Sequence, residues 1–177
     1  MILLLFFLKV SGQDTIKHYQ DNYPINNIFV EVAGNSYLFG SLNYERVLLK
    51  QRNFYFNGRI GIGYGNFAPT SILSAPIGFN GIFKFYHAFA WEIGVGLSFM
   101  QIKRSDASPR NSELEFEHIS AMILSTGLRF QDKNGFLLRI DFTPFFNLNN
   151  EGHYIPSKRF VPWFGLSIGF RIGKEKY

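Results

Sequence analysis

The chain has 177 residues, 18 Lys and Arg against 13 Asp and Glu for a net charge of +5, and no cysteine. That length suits one domain, and without cysteine neither a disulfide framework nor a cysteine metal site is available. Charged residues are 18% of the chain and aromatic residues another 18%, with 21 Phe, 9 Tyr and 17 Gly; soluble domains carry about 25% charge, so the composition points to glycine-rich aromatic strands.

The chain opens with an apolar run, Ile2 to Leu8, followed by small residues up to Gly12. This is the order of a hydrophobic region and a cleavage region, so residues 1–12 are expected to be a signal peptide and residues 13–26 an N-terminal periplasmic segment. No later stretch approaches the ~18 to 20 uninterrupted apolar residues of a spanning helix, which excludes a helical membrane protein.

From Asn27 the pattern has period two almost throughout, and about eight strands are expected between Asn27 and Gly173. Weaker alternations cover Asn27 to Gly34, Tyr37 to Leu49, Ser74 to Phe85 and Phe116 to Phe130. The clearest strands are sharper. In Phe54 to Tyr64, Phe54, Phe56, Ile60, Ile62 and Tyr64 share one face, and Tyr55, Asn57, Arg59, Gly61 and Gly63 the other. Phe89 to Phe99 sets Phe89, Trp91, Ile93, Val95, Leu97 and Phe99 against Ala90, Glu92, Gly94, Gly96 and Ser98. Gly135 to Leu148 and the last strand, around Phe164 to Ile172, repeat the division. Lys50 to Asn53, Tyr86 to Ala88 and Gln131 to Gly135 read as tight turns. Asn66 to Ser71, Lys103 to Glu113 and Asn149 to Arg159 read as longer loops, with a short connection near Asn35. Pro76, Pro144 and Pro162 fall in the loop-side halves of their strands, where pairing can fray. Residues 174–177 form a C-terminal tail.

The less apolar face decides what surrounds the sheet. A soluble barrel would crowd that face with Lys, Glu, Thr and Gln, whereas here it is mainly Gly, Ser and Asn with isolated charges. Such a face fits the narrow interior of an eight-stranded barrel. The fold class is therefore all-β: a single eight-stranded antiparallel up-and-down transmembrane β-barrel, with backbone groups satisfied by closure and the large apolar face in lipid. Its lumen is expected to hold Glu31, Glu45, Arg59, Lys84, Glu92, Arg129, Arg139, Asp141 and Arg171, mutually paired. Tyr64, Phe67, Tyr86, Trp91, Tyr154, Phe160 and Trp163 are candidates for interfacial girdles. The alternative is a soluble, lipocalin-like barrel with inverted faces and an apolar ligand.

The leader ending in Ser11-Gly12-Gln13-Asp14, the Gly/aromatic strands and the stretch from Trp163 to Phe170 resemble the small outer-membrane β-barrel proteins of Bacteroidota. The resemblance covers Asn27 to Gly173. It implies a location in the outer membrane and insertion by the barrel-assembly machinery, with Gly165, Ile168 and Phe170 at the spacing of the assembly signal.

The function expected is a structural or surface-interaction role with a packed polar lumen and no catalysis. The lumen charges alternatively line a narrow pore for ions or very small solutes. A hydrolase alternative rests on His118 and Ser120, preceded by Glu115 and Glu117, since His118-Ile119-Ser120 faintly resembles the His-x-Ser of outer-membrane lipid A deacylases. Lys103, Arg104, Arg110, Lys158 and Arg159 are candidates for contacts with lipopolysaccharide phosphates. His87 and His153 are isolated, so no metal site is expected. No cofactor is implied, and a nucleic-acid role lacks any motif.

Overall fold

The computed structural model describes residues 25–36, 40–67, 70–104, 115–148 and 160–173. The expected signal peptide and N-terminal segment, Arg110, Tyr154, Lys158, Arg159 and the C-terminal tail lie outside the described residues, as do the side chains of Phe67, Arg104, Glu115 and Phe116.

Ten strand segments follow one another: β1 (Asn26–Ala33), β2 (Gly40–Lys50), β3 (Phe54–Phe67), β4 (Thr70–Tyr86), β5 (Phe89–Arg104), β6 (Glu115–Gln131), β7 (Phe136–Phe142), β8 (Phe145–Asn147), β9 (Phe160–Val161) and β10 (Phe164–Arg171). A short 3-10 turn, Gly34–Ser36, follows β1. Neighbouring segments pair antiparallel, β5 pairs with β6, and β1 pairs with β10, so the sheet closes on itself.

Segments β7 and β8 are one barrel strand, and β9 and β10 another, which makes eight strands. The register is the same on both sides of each break, and it sets Pro144 opposite Pro162. Neither proline has an N–H to give the ladder. The flanking backbone still pairs: Leu124 donates to the Pro144 carbonyl at 3.3 Å and Thr143 to the Trp163 carbonyl at 2.7 Å.

The register also fixes the shape of the barrel. Paired residues followed once around it run from Arg171 through Asn27, Glu45, Arg59, Gly78, Gly96, Ile123 and Phe145 to Val161. The path returns to its own strand ten residues away. With eight strands at ~4.8 Å spacing and ~3.3 Å rise, that stagger tilts the strands by roughly 40°. Such a barrel is narrow enough for side chains to fill.

One connection differs from the sequence expectation. The loop expected at Asn66 to Ser71 is a hairpin end instead, since β3 runs to Phe67 and Phe67 pairs with Thr70. In the short connection near Asn35, the described residues Gly34–Ser36 form a 3-10 turn. Its residues Gly34, Asn35 and Ser36 are buried, and the chain turns in through two residues of positive φ, Ala33 and Gly34.

Candidate functional site

The lumen is built from the inward residues of every strand. Seven of the nine expected lumen charges are buried: Glu31, Glu45, Arg59, Glu92, Arg129, Arg139 and Asp141. Lys84 and Arg171 are only half-buried at the turn end, where the Lys84 Nζ lies 5.9 Å from the centre of the Tyr55 ring.

Arg129 is the hub. Its Nη2 donates to Glu45 Oε1 at 2.6 Å, and its Nη1 donates to Glu45 Oε2 at 3.1 Å and to Glu92 Oε2 at 3.2 Å. Gln131 Oε1 accepts from the same guanidinium at 3.0 and 3.2 Å, and Gln131 Nε2 donates to Asn27 Oδ1 at 2.6 Å. Asn27 in turn donates to Glu45 Oε1 at 3.1 Å. On the other side, Arg139 Nη2 reaches Glu92 Oε1 at 2.8 Å and Asp141 Oδ2 at 2.9 Å, and its guanidinium lies 4.9 Å from the centre of the buried Phe29 ring. Asn80 donates to Glu92 Oε1 at 2.6 Å. Arg59 stands farther from Glu31, at 3.9 Å. Residues from β1, β2, β4, β5, β6 and β7 thus meet in one charged layer, where opposite charges inside a low-dielectric interior hold each other and fix the strands around them.

Glycine makes room for this layer. Gly61 faces Asn43, Gly94 lies between Asn80 and Ser125, and Gly127 pairs with Asp141. A Cβ at any of the three would press on those polar side chains. Small residues therefore lie beside long ones across the ladder, as the narrow interior requires.

The lumen is not polar along its whole length, which corrects the sequence expectation. At the turn end Tyr55, Ile82 and Ala90 form a buried apolar cluster with Val47 against it. At the loop end Ile72, Met100, Ile102, Ile119, Ala121, Ile123 and Phe145 form a larger one, joined by Val161 and Trp163. Trp163 faces this cluster and not lipid, so it is no part of a girdle. Below the larger cluster the Gly34–Ser36 turn enters the lumen, held by Asn35 Nδ2 donating to Glu31 Oε1 at 2.8 Å. Gly63 and Gly165 leave space for it: a Cβ at Gly165 would lie 2.8 Å from the Gly34 Cα, and one at Gly63 would press on Ser36. Gly63→Leu is accordingly expected to displace the turn and cost about 1–3 kcal/mol. Urea unfolding of the protein in detergent, alongside protease sensitivity near Ser36, measures this.

The outer face is apolar over a limited height. On β5, Phe89, Trp91, Ile93, Val95, Leu97 and Phe99 are exposed. At ~3.3 Å per residue and ~40° tilt they span about 25 Å, the height of the lipid-facing band of outer-membrane barrels. Above Phe99 the polarity reverses on the same strand: Met100 and Ile102 turn inward, and Gln101 and Lys103 outward. The reversal recurs in β6, where Ile119 and Ala121 are buried while His118 and Ser120 face outward. In β4, Ile72 is buried beside outward Ser71. Strands of 16 or 17 residues thus cross the band with a polar inside and leave it with an apolar inside.

A ring of aromatic contacts marks the turn-end edge of the band. Phe54 meets Phe83 at 4.9 Å, Phe83 meets Trp91 at 6.3 Å, and Phe89 meets Phe130 at 5.1 Å. Phe130 meets Phe136 at 6.4 Å, and Phe136 meets Phe170 at 5.6 Å. Of the expected girdle residues Trp91 lies in this ring, and Tyr64, Tyr86 and Phe160 are exposed. Most of the ring comes from cross-strand phenylalanines that only the register brings together. A depression of 630 Å³ on the outer wall, lined by Phe56, Phe79, Gly81, Phe83, Ile93 and Phe142 among others, is apolar and faces the same medium.

His118 and Ser120 share the outward face near the loop-side edge, as expected, but Glu117 lies on the opposite face, so it is not in line with them. Lys103 is exposed at the end of β5. Ile168 and Phe170 face outward on β10 while Gly165 faces the lumen. Among the described residues no group of three or more His, Asp or Glu could hold a metal ion, and no helix is long and apolar enough to cross a membrane.

No protein-family profile matches the chain, and no curated protein matches its sequence. Solved structures do. The major outer membrane protein of Thermus thermophilus superposes with a TM-score of 0.56 at 10% identity, over 83% of this chain and 98% of that one. The N-terminal β-barrel domain of Pseudomonas aeruginosa OprF gives 0.52 at 10% identity, over 83% and 95%. Ail, the attachment invasion locus protein of Yersinia pestis, gives 0.52 at 12% identity, over 83% and 93%. At these identities the likeness is one of fold: the chain folds as a closed eight-stranded antiparallel barrel similar to outer-membrane barrels.

Proposed function

We propose that the chain is an outer-membrane barrel of a Gram-negative bacterium, of the Bacteroidota type, with a structural or surface-interaction role and a closed lumen. The observation that carries this reading is the reversal of polarity along β4, β5 and β6, which puts an apolar surface outside for about 25 Å and an apolar core inside beyond it. A soluble lipocalin-like barrel would require the apolar interior at the level where Arg129, Glu45 and Glu92 are buried. A pore would require an open path, and both ends of the lumen are filled by apolar clusters.

In this reading the turns face the periplasm and the longer connections face outward. Gly165, Ile168 and Phe170 serve recognition by the assembly machinery, and Lys103 lies at the level of lipopolysaccharide phosphates. The outward His118 and Ser120 are surface residues at the edge of the lipid. The test is folding into phospholipid vesicles followed by gel migration with and without boiling, then current recording in planar bilayers. A heat-modifiable band with no conductance steps is expected. A monomer soluble in plain buffer would overturn the membrane assignment, and regular conductance steps would overturn the closed lumen.

A further inference from the structure

On β3, β4, β5 and β6 the outer wall continues past the apolar band. One rung of the ladder sets Asn66, Ser71 and Lys103 side by side on the outward face. The rung nearer the band runs from Tyr64 through Leu73 and Gln101 to His118. Tyr64 and Leu73 are exposed and belong to the edge of the lipid, whereas Gln101 lies beyond it. That these side chains point outward follows from their chain neighbours Ile72, Ile102 and Ile119, which are buried in the loop-end cluster. At about 2.5 Å of height per residue, Gln101 and Lys103 stand roughly 5 and 10 Å above Phe99. Exposed Leu148, whose N–H donates to the Ser120 carbonyl at 3.0 Å, ends the patch on the β8 side.

This part of the wall is polar but nearly uncharged. Among its described side chains Lys103 is the one cation, and Glu117 turns to the inner face. A surface made for water alone carries closely mixed charges of both signs, and a surface made for phosphates alone carries several cations. The Asn66 and Gln101 amides and the Ser71 hydroxyl instead offer donors and acceptors together, which is the complement of sugar hydroxyls. The two rungs cover about 10 Å across the strands and about 7 Å along them, the breadth of a disaccharide. In an outer membrane the sugars of lipopolysaccharide stand directly above the acyl chains, at this level of the wall.

We infer that Asn66, Ser71, Gln101 and Lys103 form a binding surface for the core sugars of lipopolysaccharide. The amides and the hydroxyl hold sugar hydroxyls, and Lys103 meets an anionic group carried by those sugars. The inference rests on the membrane reading proposed above and gives its lipopolysaccharide contact a saccharide, not a phosphate, as the main partner.

The protein is folded into phosphatidylcholine vesicles containing either complete lipopolysaccharide or lipid A alone. Glycolipid retained on extraction into detergent is quantified by native mass spectrometry, with the gel shift on boiling as the check on folding. Complete lipopolysaccharide is expected to be retained in preference to lipid A. Asn66→Ala, Ser71→Ala and Gln101→Ala should each lower its apparent affinity by about fivefold, the loss of about one neutral hydrogen bond, and leave retention of lipid A unchanged. Gln51→Ala, at the turn end, should leave both unchanged. Equal retention of the two glycolipids, or a triple alanine variant that holds complete lipopolysaccharide as well as the wild type, overturns the saccharide surface, while a heat-modifiable band keeps the membrane reading. Retention that falls with Lys103→Gln but not with the alanine variants also overturns it, assigning the contact to phosphate. Failure to fold into either vesicle overturns both readings.

Discussion

Replacing Arg129 with methionine is expected to destabilise the barrel by about 3–5 kcal/mol, the range for removing one partner of a buried ion pair. Arg129 holds Glu45 through two hydrogen bonds and Glu92 through one, and all three side chains are fully buried. Methionine fills much of the volume but leaves Glu45 with the Asn27 amide as its remaining hydrogen-bond donor, and Glu92 with Asn80 and Arg139. Taking a charge out of water without a counter-charge is the costly element, so adding Glu45→Gln to Arg129→Met should recover a large part of the loss. Equilibrium unfolding in urea from lipid vesicles measures both variants. Equal stability of the single variant and the wild type would mean that water already solvates this layer, and the closed lumen would have to be abandoned.

Much of this layer can be read from the sequence. Glu45, Arg59, Glu92, Arg129, Arg139 and Asp141 each fall on the less apolar face of an alternating strand, and a narrow barrel brings that face inward. Their pairings cannot be read so, because Arg129 and Glu45 lie 84 residues apart and meet only across the lumen. The same holds for the aromatic ring, whose members look like ordinary outward residues until the register aligns them.

The apolar cluster at the loop end had a signal that simple alternation conceals. Adjacent apolar pairs, Ile72-Leu73, Phe99-Met100 and Ile123-Leu124, shift the period by one residue and hand the apolar role to the other face. A pattern scored over the whole strand averages the two phases. The inward turn at Gly34–Ser36 left a fainter mark: Gly63 and Gly165 look like any other lumen glycine, and only the packing shows what they admit.

The reversal of phase also makes the second large prediction. Val95 and Gln101 lie on the same outward face of β5, paired with Phe79 and Leu124 in the first case and with Leu73 and His118 in the second. If the band between the Phe89 level and Phe99 is in hydrocarbon, Val95→Arg places a cation near its middle and costs about 2–4 kcal/mol, whereas Gln101→Arg, beyond the band, costs no more than about 1 kcal/mol. The same arginine on the same face is thus a depth gauge. Urea unfolding from vesicles gives both values, and folding yield into vesicles should fall for Val95→Arg alone. Side-chain crowding does not supply the contrast, since both positions are on the outer wall and Val95 is about half exposed. Equal tolerance at the two positions would mean that both meet water, and the exposed Phe, Ile and Leu of the barrel wall would then need a covering other than lipid. A large cost at Val95 with little at Gln101 would place the edge of the membrane between Phe99 and Gln101, where the chain itself changes which face it makes apolar.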